Sequence, residues 1–244
     1  MSGLPALLLL ALIWLAQDKT ASEVAEKLVN GFVNWNQSLN SAGGKVEFRE
    51  VARGKKEGAP IALYDVIVTG VPHNQSYALY YWPVTVKEPQ PVAAEVWLSE
   101  PGFVCASQEN CDSLVRLNFH SAKGEPHRVM LISKDGKYHV VGVVIPDPIN
   151  ATDRGCNVEV VRLSPKFEIA LVRGKGFKPN EKVKFTSNSA GERVEGVADV
   201  QDDGTFRLVL LPFVVGKDIG KDEVKFKGSN CSPVISYKWG TTEE

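Results

Sequence analysis

The residues with the most constrained chemistry are four cysteines, Cys105, Cys111, Cys156 and Cys231. Four thiols in an exported chain form two disulfides, and three pairings are open to them. Cys105 and Cys111 flank the polar run Ala106-Ser-Gln-Glu-Asn110, so their bridge would be local. That leaves Cys156 with Cys231, a closure of 75 residues. On the entropic account such a loop is worth ~4 kcal/mol of stability. A Cys-x5-Cys spacing does not fit the usual zinc pattern. The histidines are His73, His120, His127 and His139. His127 and His139 flank a turn at Asp135-Gly136, and either hairpin register pairs His127 with Val143 or Val144. The two rings then stand ~14–17 Å apart along the strands, too far to share a metal with bonds of ~2 Å. No metal and no cofactor are expected.

Nucleophilic catalysis finds little support. The chain has no Gly-x-Ser-x-Gly elbow. Gly174-x-Gly176 lacks the third glycine of a phosphate fingerprint and runs into Pro179, so it reads as a turn between strands. Asp202-Asp203-Gly204 and Asp135-Gly136 are tight-turn sequences, and neither supplies the six to eight oxygens of a calcium loop. The most suggestive run is Tyr77-Ala-Leu-Tyr-Tyr-Trp-Pro83. On a strand Tyr77, Leu79 and Tyr81 face one way, and Ala78, Tyr80 and Trp82 face the other. Both faces are aromatic, so both are covered or one displays its rings. Flat rings suit sugars and flexible peptides. Tyr80 and Trp82 are therefore the candidate ligand contacts, and packing against the N-terminal helix is the competing explanation.

The elements that must position these residues follow from periodicity. Leu4–Ala16 is an unbroken apolar run, short of the ~30 Å bilayer core and of a length that fits a secretory signal. The n-region MSG carries no Lys or Arg; cleavage is expected after Ser22, with Ala16 as a second position. Thr20 and Glu23 have capping-box spacing, and Val24, Leu28, Phe32 and Trp35 mark one face of an amphipathic helix within about 23–40. From Val46 the period changes to two. Seven strand candidates precede Pro146 and seven follow Gly155, the density of immunoglobulin-like sandwiches. Pro146–Gly155 reads as the linker. Two turns suggest hairpins: Asp135-Gly136, and Asp202-Asp203-Gly204, where a three-residue loop would pair Phe206 with Val200 and Leu208 with Ala198. Asn36, Asn74, Asn150 and Asn230 stand in sequons within polar loops.

The run Gly174-Lys-Gly-Phe-Lys-Pro-Asn-Glu181, followed by an Asp-Gly-Thr-Phe turn and an alternating strand, resembles bacterial Ig-like modules of exported proteins. The resemblance covers about 158–240. It implies a β-sandwich and brings no catalytic residues, because such modules act as spacers, adhesive units and binding appendages.

Composition agrees with an ordinary globular chain: 43% hydrophobic, 23% charged, formal net charge −1. Near-neutrality gives no reason to expect nucleic acid as partner. The expected fold is all-β, with two tandem Ig-like sandwiches at about 45–150 and 156–240, behind a signal segment (1–22) and a short helix (23–40). The expected function is a non-enzymatic binding or scaffold protein, secreted or periplasmic, with an envelope polysaccharide or protein as partner. It would meet the membrane only through an uncleaved N-terminal segment. The alternative is an extracytoplasmic hydrolase with carboxylates at the domain junction.

Overall fold

The computed structural model describes residues 40–56, 59–84, 89–108, 111, 113–120, 122–163 and 168–240. The expected signal segment, and all of the expected helix except Asn40, lie outside the described residues. Among those described, all helical or strand structure is strand. In chain order the strands are β1 (Lys45–Lys56), β2 (Ala59–Thr69), β3 (Tyr77–Pro83), β4 (Gln90–Leu98), β5 (Val104–Cys105), β6 (Arg116–His120), β7 (His127–Ser133) and β8 (His139–Val144). They continue with β9 (Ile149–Asp153), β10 (Cys156–Arg162), β11 (Ala170–Lys175), β12 (Lys182–Ser189), β13 (Glu192–Asp199), β14 (Phe206–Leu210), β15 (Ile219–Lys227) and β16 (Val234–Gly240). Strict alternation dictates several of them. In Arg116–His120 and in most of Lys182–Ser189, every second side chain is buried.

The strands form four antiparallel sheets, ordered β1-β2-β6, β5-β4-β3-β7-β8, β14-β11-β10-β9 and β13-β12-β15-β16. The first two share one core. Tyr64, Val66, Val68, Leu117 and Phe119 come from one sheet, and Tyr77, Leu79, Val96, Val129, Leu131 and Val140 from the other. The last two share a second core, where Val158, Val160, Val172 and Phe206 meet Val183, Phe185, Val224, Phe226 and Tyr237. Each aliphatic or aromatic side chain buried this way contributes ~1.5–3 kcal/mol. A third, smaller apolar cluster lies on the outer side of β10 and β11. There Val161, Leu163, Ile169 and Leu171 pack with Val143 and Ile145. Polar ties reinforce this junction. The Arg53 guanidinium donates to the Pro146 carbonyl at 2.6 Å, and the Arg162 amide donates to the Gly124 carbonyl at 2.9 Å.

The disulfides are Cys105–Cys111 and Cys156–Cys231, with Cα separations of 5.2 and 6.2 Å. Cys156, at the start of β10, and Cys231, in the β15–β16 connection, both sit in the second core. Their bridge therefore ties the two facing sheets of that core to each other. Two disulfides in a strand-rich chain are consistent with export.

Two expectations need correction. The expected linker contains a strand: Ile149–Asp153 pairs with β10 through a two-residue turn, with Arg154 at φ 47° and Gly155 at φ 90°. Both turn residues take the left-handed conformation that a tight hairpin of this hand requires. Ile149 and Ala151 alternate inward against the second core, which pulls the segment into the sheet. The hairpin expected at Asp202-Asp203-Gly204 does not form either. Gly204 has the expected positive φ of 76°, and Gln201 donates to the Thr205 carbonyl at 2.7 Å. Beyond that bond the chain crosses between sheets: β13 pairs with β12, and β14 pairs with β11. Ala198, Val200 and Phe206 do turn their apolar sides to one another, but across the core rather than side by side. An apolar match is satisfied equally by two strands facing across a sandwich. The Asp135-Gly136 hairpin forms as expected, with His127 opposite Val144.

Candidate functional site

Strand β3 is central in its sheet, with β4 on one side and β7 on the other. Its register with β7 runs from Tyr77 opposite Ser133 to Pro83 opposite His127. Directly opposed residues share a face. Tyr80 therefore stands beside Met130 and then Val141, Trp82 beside Arg128 and then Val143, and Ala78 beside Ile132 and then His139. This outer face is mostly apolar. Tyr80, Trp82, Arg128, Met130 and Ile132 are half-buried. The Arg128 guanidinium lies 3.8 Å from the centre of the Trp82 ring, a cation–π stack. It is further held by a 3.4 Å bond from Arg128 Nε to the Trp82 carbonyl. Burial pushes the Arg128 pKa down to about 10, which still leaves it charged at neutral pH. The structure thus brings Tyr80 and Trp82 to one face, and Arg128 covers one side of the Trp82 ring.

The inner face of the same strand carries a second constellation. The Tyr81 hydroxyl and His127 Nδ1 are 2.6 Å apart, and their rings stack with centroids 5.6 Å apart. Phe119 closes the cluster 5.0 Å from His127. His127 is 1% exposed, and burial lowers its pKa to about 4. Its Nε2 faces Glu125 Oε2 at 3.9 Å. Glu125 is itself buried, and desolvation raises its pKa against the opposing pull of the Ala122 amide and Arg162. A neutral imidazole accepts at Nδ1 from the Tyr81 hydroxyl, while Nε2, 3.9 Å from Glu125, is buried without a hydrogen-bond partner. Phe119, Glu125 and His127 are buried and Tyr81 partly so, which places this polar cluster on the core side of the sheet.

Sequence reasoning missed Arg128, Glu125 and the Tyr81–His127 contact. A long-range pairing brings β3 and β7 together, and neither strand carries a local signal for the other. The near-equal aromaticity of the two faces of Tyr77–Pro83 was the available clue.

No protein-family model matches the chain, and no curated protein matches its sequence. Among solved structures it is similar to a red sea bream transglutaminase at 13% identity and TM-score 0.24, over 82% of this chain and 31% of that one. It is also similar to VesC, a secreted serine protease from Vibrio cholerae, at 11% identity and TM-score 0.27, over 86% of this chain and 52% of that one. At such TM-scores neither enzyme's activity transfers to this chain.

Proposed function

We propose that the chain is an exported, non-enzymatic binding or scaffold protein of the cell envelope or extracellular space, built from two tandem Ig-like β-sandwich domains. Each pair of facing sheets shares one core and contains one disulfide, which supports the tandem reading. In this reading the domain boundary falls at about Pro146–Pro148, since β9 pairs with β10. In the second domain the resemblance to bacterial Ig-like modules fits a binding or spacing role.

The observation that carries the binding reading is the outer face of the five-stranded sheet. Tyr80, Trp82, Met130 and Ile132 form an apolar surface with one stacked cation, Arg128. Such a surface offers a sugar ring or an extended peptide broad contact at low entropic cost, with a donor for an acceptor group. The test is intrinsic fluorescence titrated with peptidoglycan fragments and envelope polysaccharide. Quenching in the native chain that disappears in Trp82→Ala and Tyr80→Ala supports the assignment. Quenching that persists unchanged in both variants refutes it. Intact mass of the protein from its own host, before and after thiol alkylation, tests export separately. Loss of about the first 16 to 22 residues with no free thiol is the expected result.

A further inference from the structure

A different face carries charges that the structure sets against each other. Across the outer side of β14-β11-β10-β9, one row of directly opposed residues reads Arg207, Arg173, Glu159, Asn150. The row beside it reads Lys175, Asn157, Thr152. Two guanidiniums opposite one another on neighbouring strands repel. Glu159 brings a carboxylate close to Arg173, with Oε2 3.5 Å from Nε. Asp203 is already engaged, accepting from the Thr205 amide at 3.0 Å and from the Thr205 hydroxyl at 2.6 Å. Burial and the Arg207 charge, partly offset by Glu159, hold the Arg173 pKa below its usual value.

These residues line a cavity of 560 Å³, which includes Asn150, Asn157, Glu159, Arg173, Lys175 and Arg207. A second cavity of 490 Å³ shares Pro148, Glu159 and Arg173 with it and continues to Val141 and Val143. The two cavities adjoin at these shared residues, and the proposed site is the first. At ~4.8 Å between strands, the row from Arg207 to Asn150 alone spans ~14 Å, longer than a single ion. Three cations and two carboxylates leave a small positive excess. The amides of Asn150 and Asn157 and the Thr205 hydroxyl add neutral donors and acceptors between the charges. This pattern suits a chain of hydroxylated units with spaced acid groups. A nucleic acid demands denser positive charge.

We propose that this groove binds an acidic polysaccharide strand, one carboxylate bridging Arg173 and Arg207 and the sugar hydroxyls meeting Asn150, Asn157 and Thr205. A bridging carboxylate accepts charge-assisted bonds from both guanidiniums and relieves their repulsion. The 560 Å³ cavity is lined by neither Tyr80 nor Trp82, and the proposal does not depend on their role.

The test is calorimetric titration of the full mature chain with oligogalacturonate, its methyl ester and inorganic phosphate. Arg207 is exposed, so Arg207→Gln leaves the fold intact. The expected results are binding of the free acid, no binding of the ester, and a loss of about tenfold or more in Arg207→Gln. Glu159→Gln removes the competing carboxylate and tightens binding. Trp82→Ala leaves it unchanged, which separates this groove from the outer face of β3. No binding of the acid, equal binding of acid and ester, or unchanged affinity in Arg207→Gln overturns the proposal. Phosphate binding as tightly as the oligosaccharide also overturns it and leaves an adventitious ion only.

Discussion

Acid should loosen this fold at one identifiable point, His127. The imidazole is enclosed by Tyr81 and Phe119, and its folded-state pKa is about 4. An unfolded histidine titrates near 6.5. The unfolded chain therefore takes up a proton first as pH falls. The contribution of the neutral ring is present in full above about pH 6.5, declines as pH falls toward about 4, and is gone below that. At 1.36 kcal/mol per unit, the difference of about 2.5 units amounts to ~3 kcal/mol. Protonation also turns Nδ1 into a donor, so the Tyr81 hydroxyl must accept where it had donated. Glu125 works in the opposite direction: its raised pKa makes the folded state gain stability as pH falls through the range above the normal glutamate value. The double variant Tyr81→Phe/His127→Phe removes both polar partners while keeping ring shape and leaves Glu125 in place. Urea midpoints by fluorescence, at steps between about pH 7 and about pH 4, compare the two proteins. The native chain should lose ~3 kcal/mol more than the variant over that range. Parallel loss in both proteins would refute the assignment of the acid sensitivity to His127.

Other expectations follow from the same structure. Replacing Cys156 and Cys231 together with Ser should remove ~4 kcal/mol, seen as a lower urea midpoint in the oxidised protein, because that bridge closes 75 residues. Asp65 is 1% exposed and accepts from Arg49 at 2.7 Å and Arg116 at 2.9 Å. Burial pushes its carboxyl up, but the two hydrogen bonds outweigh it and hold the pKa below normal. Asp65→Asn should therefore cost about 2 kcal/mol at neutral pH, shrinking as acid protonates the native carboxylate. Gly70 has φ 74°, and a Cβ there would run into the Gly43 carbonyl. Gly70→Ala should lower the melting temperature by several degrees, which calorimetry would register, as a backbone shift joins the left-handed strain of ~1 kcal/mol.

Much of the framework was legible in the residues. Alternation located nearly every strand, because that signal is local; cysteine spacing left three pairings open and favoured the two bridges that form. The Asp135-Gly136 turn located the β7–β8 hairpin and left two registers open, of which the one pairing His127 with Val144 forms. The Asp202-Asp203-Gly204 turn did not pair its flanking strands, because turn chemistry alone does not distinguish a hairpin from a crossing between sheets. Strand β9 was hidden by Pro146, Pro148 and two aspartates, whose loop character outweighed the inward pair Ile149 and Ala151. Of the outer face, Tyr80 and Trp82 were visible as a cluster. Arg128 was not, because its place over the Trp82 ring depends on a pairing 46 residues apart.

The Cys156–Cys231 bridge also sets how the chain carries load. If the protein is pulled from its two ends, tension passes through the sulfur atoms and bypasses the chain between them, a sequence separation of 75. At ~3.4 Å per residue, ~250 Å of contour length is held in reserve while the bridge is intact. Strand β10 beyond Cys156 and strands β11 to β15 lie inside that covalent loop and stay unstretched even after the rest of the chain has yielded. Reduction would release this length and convert a nearly inextensible segment into a long tether.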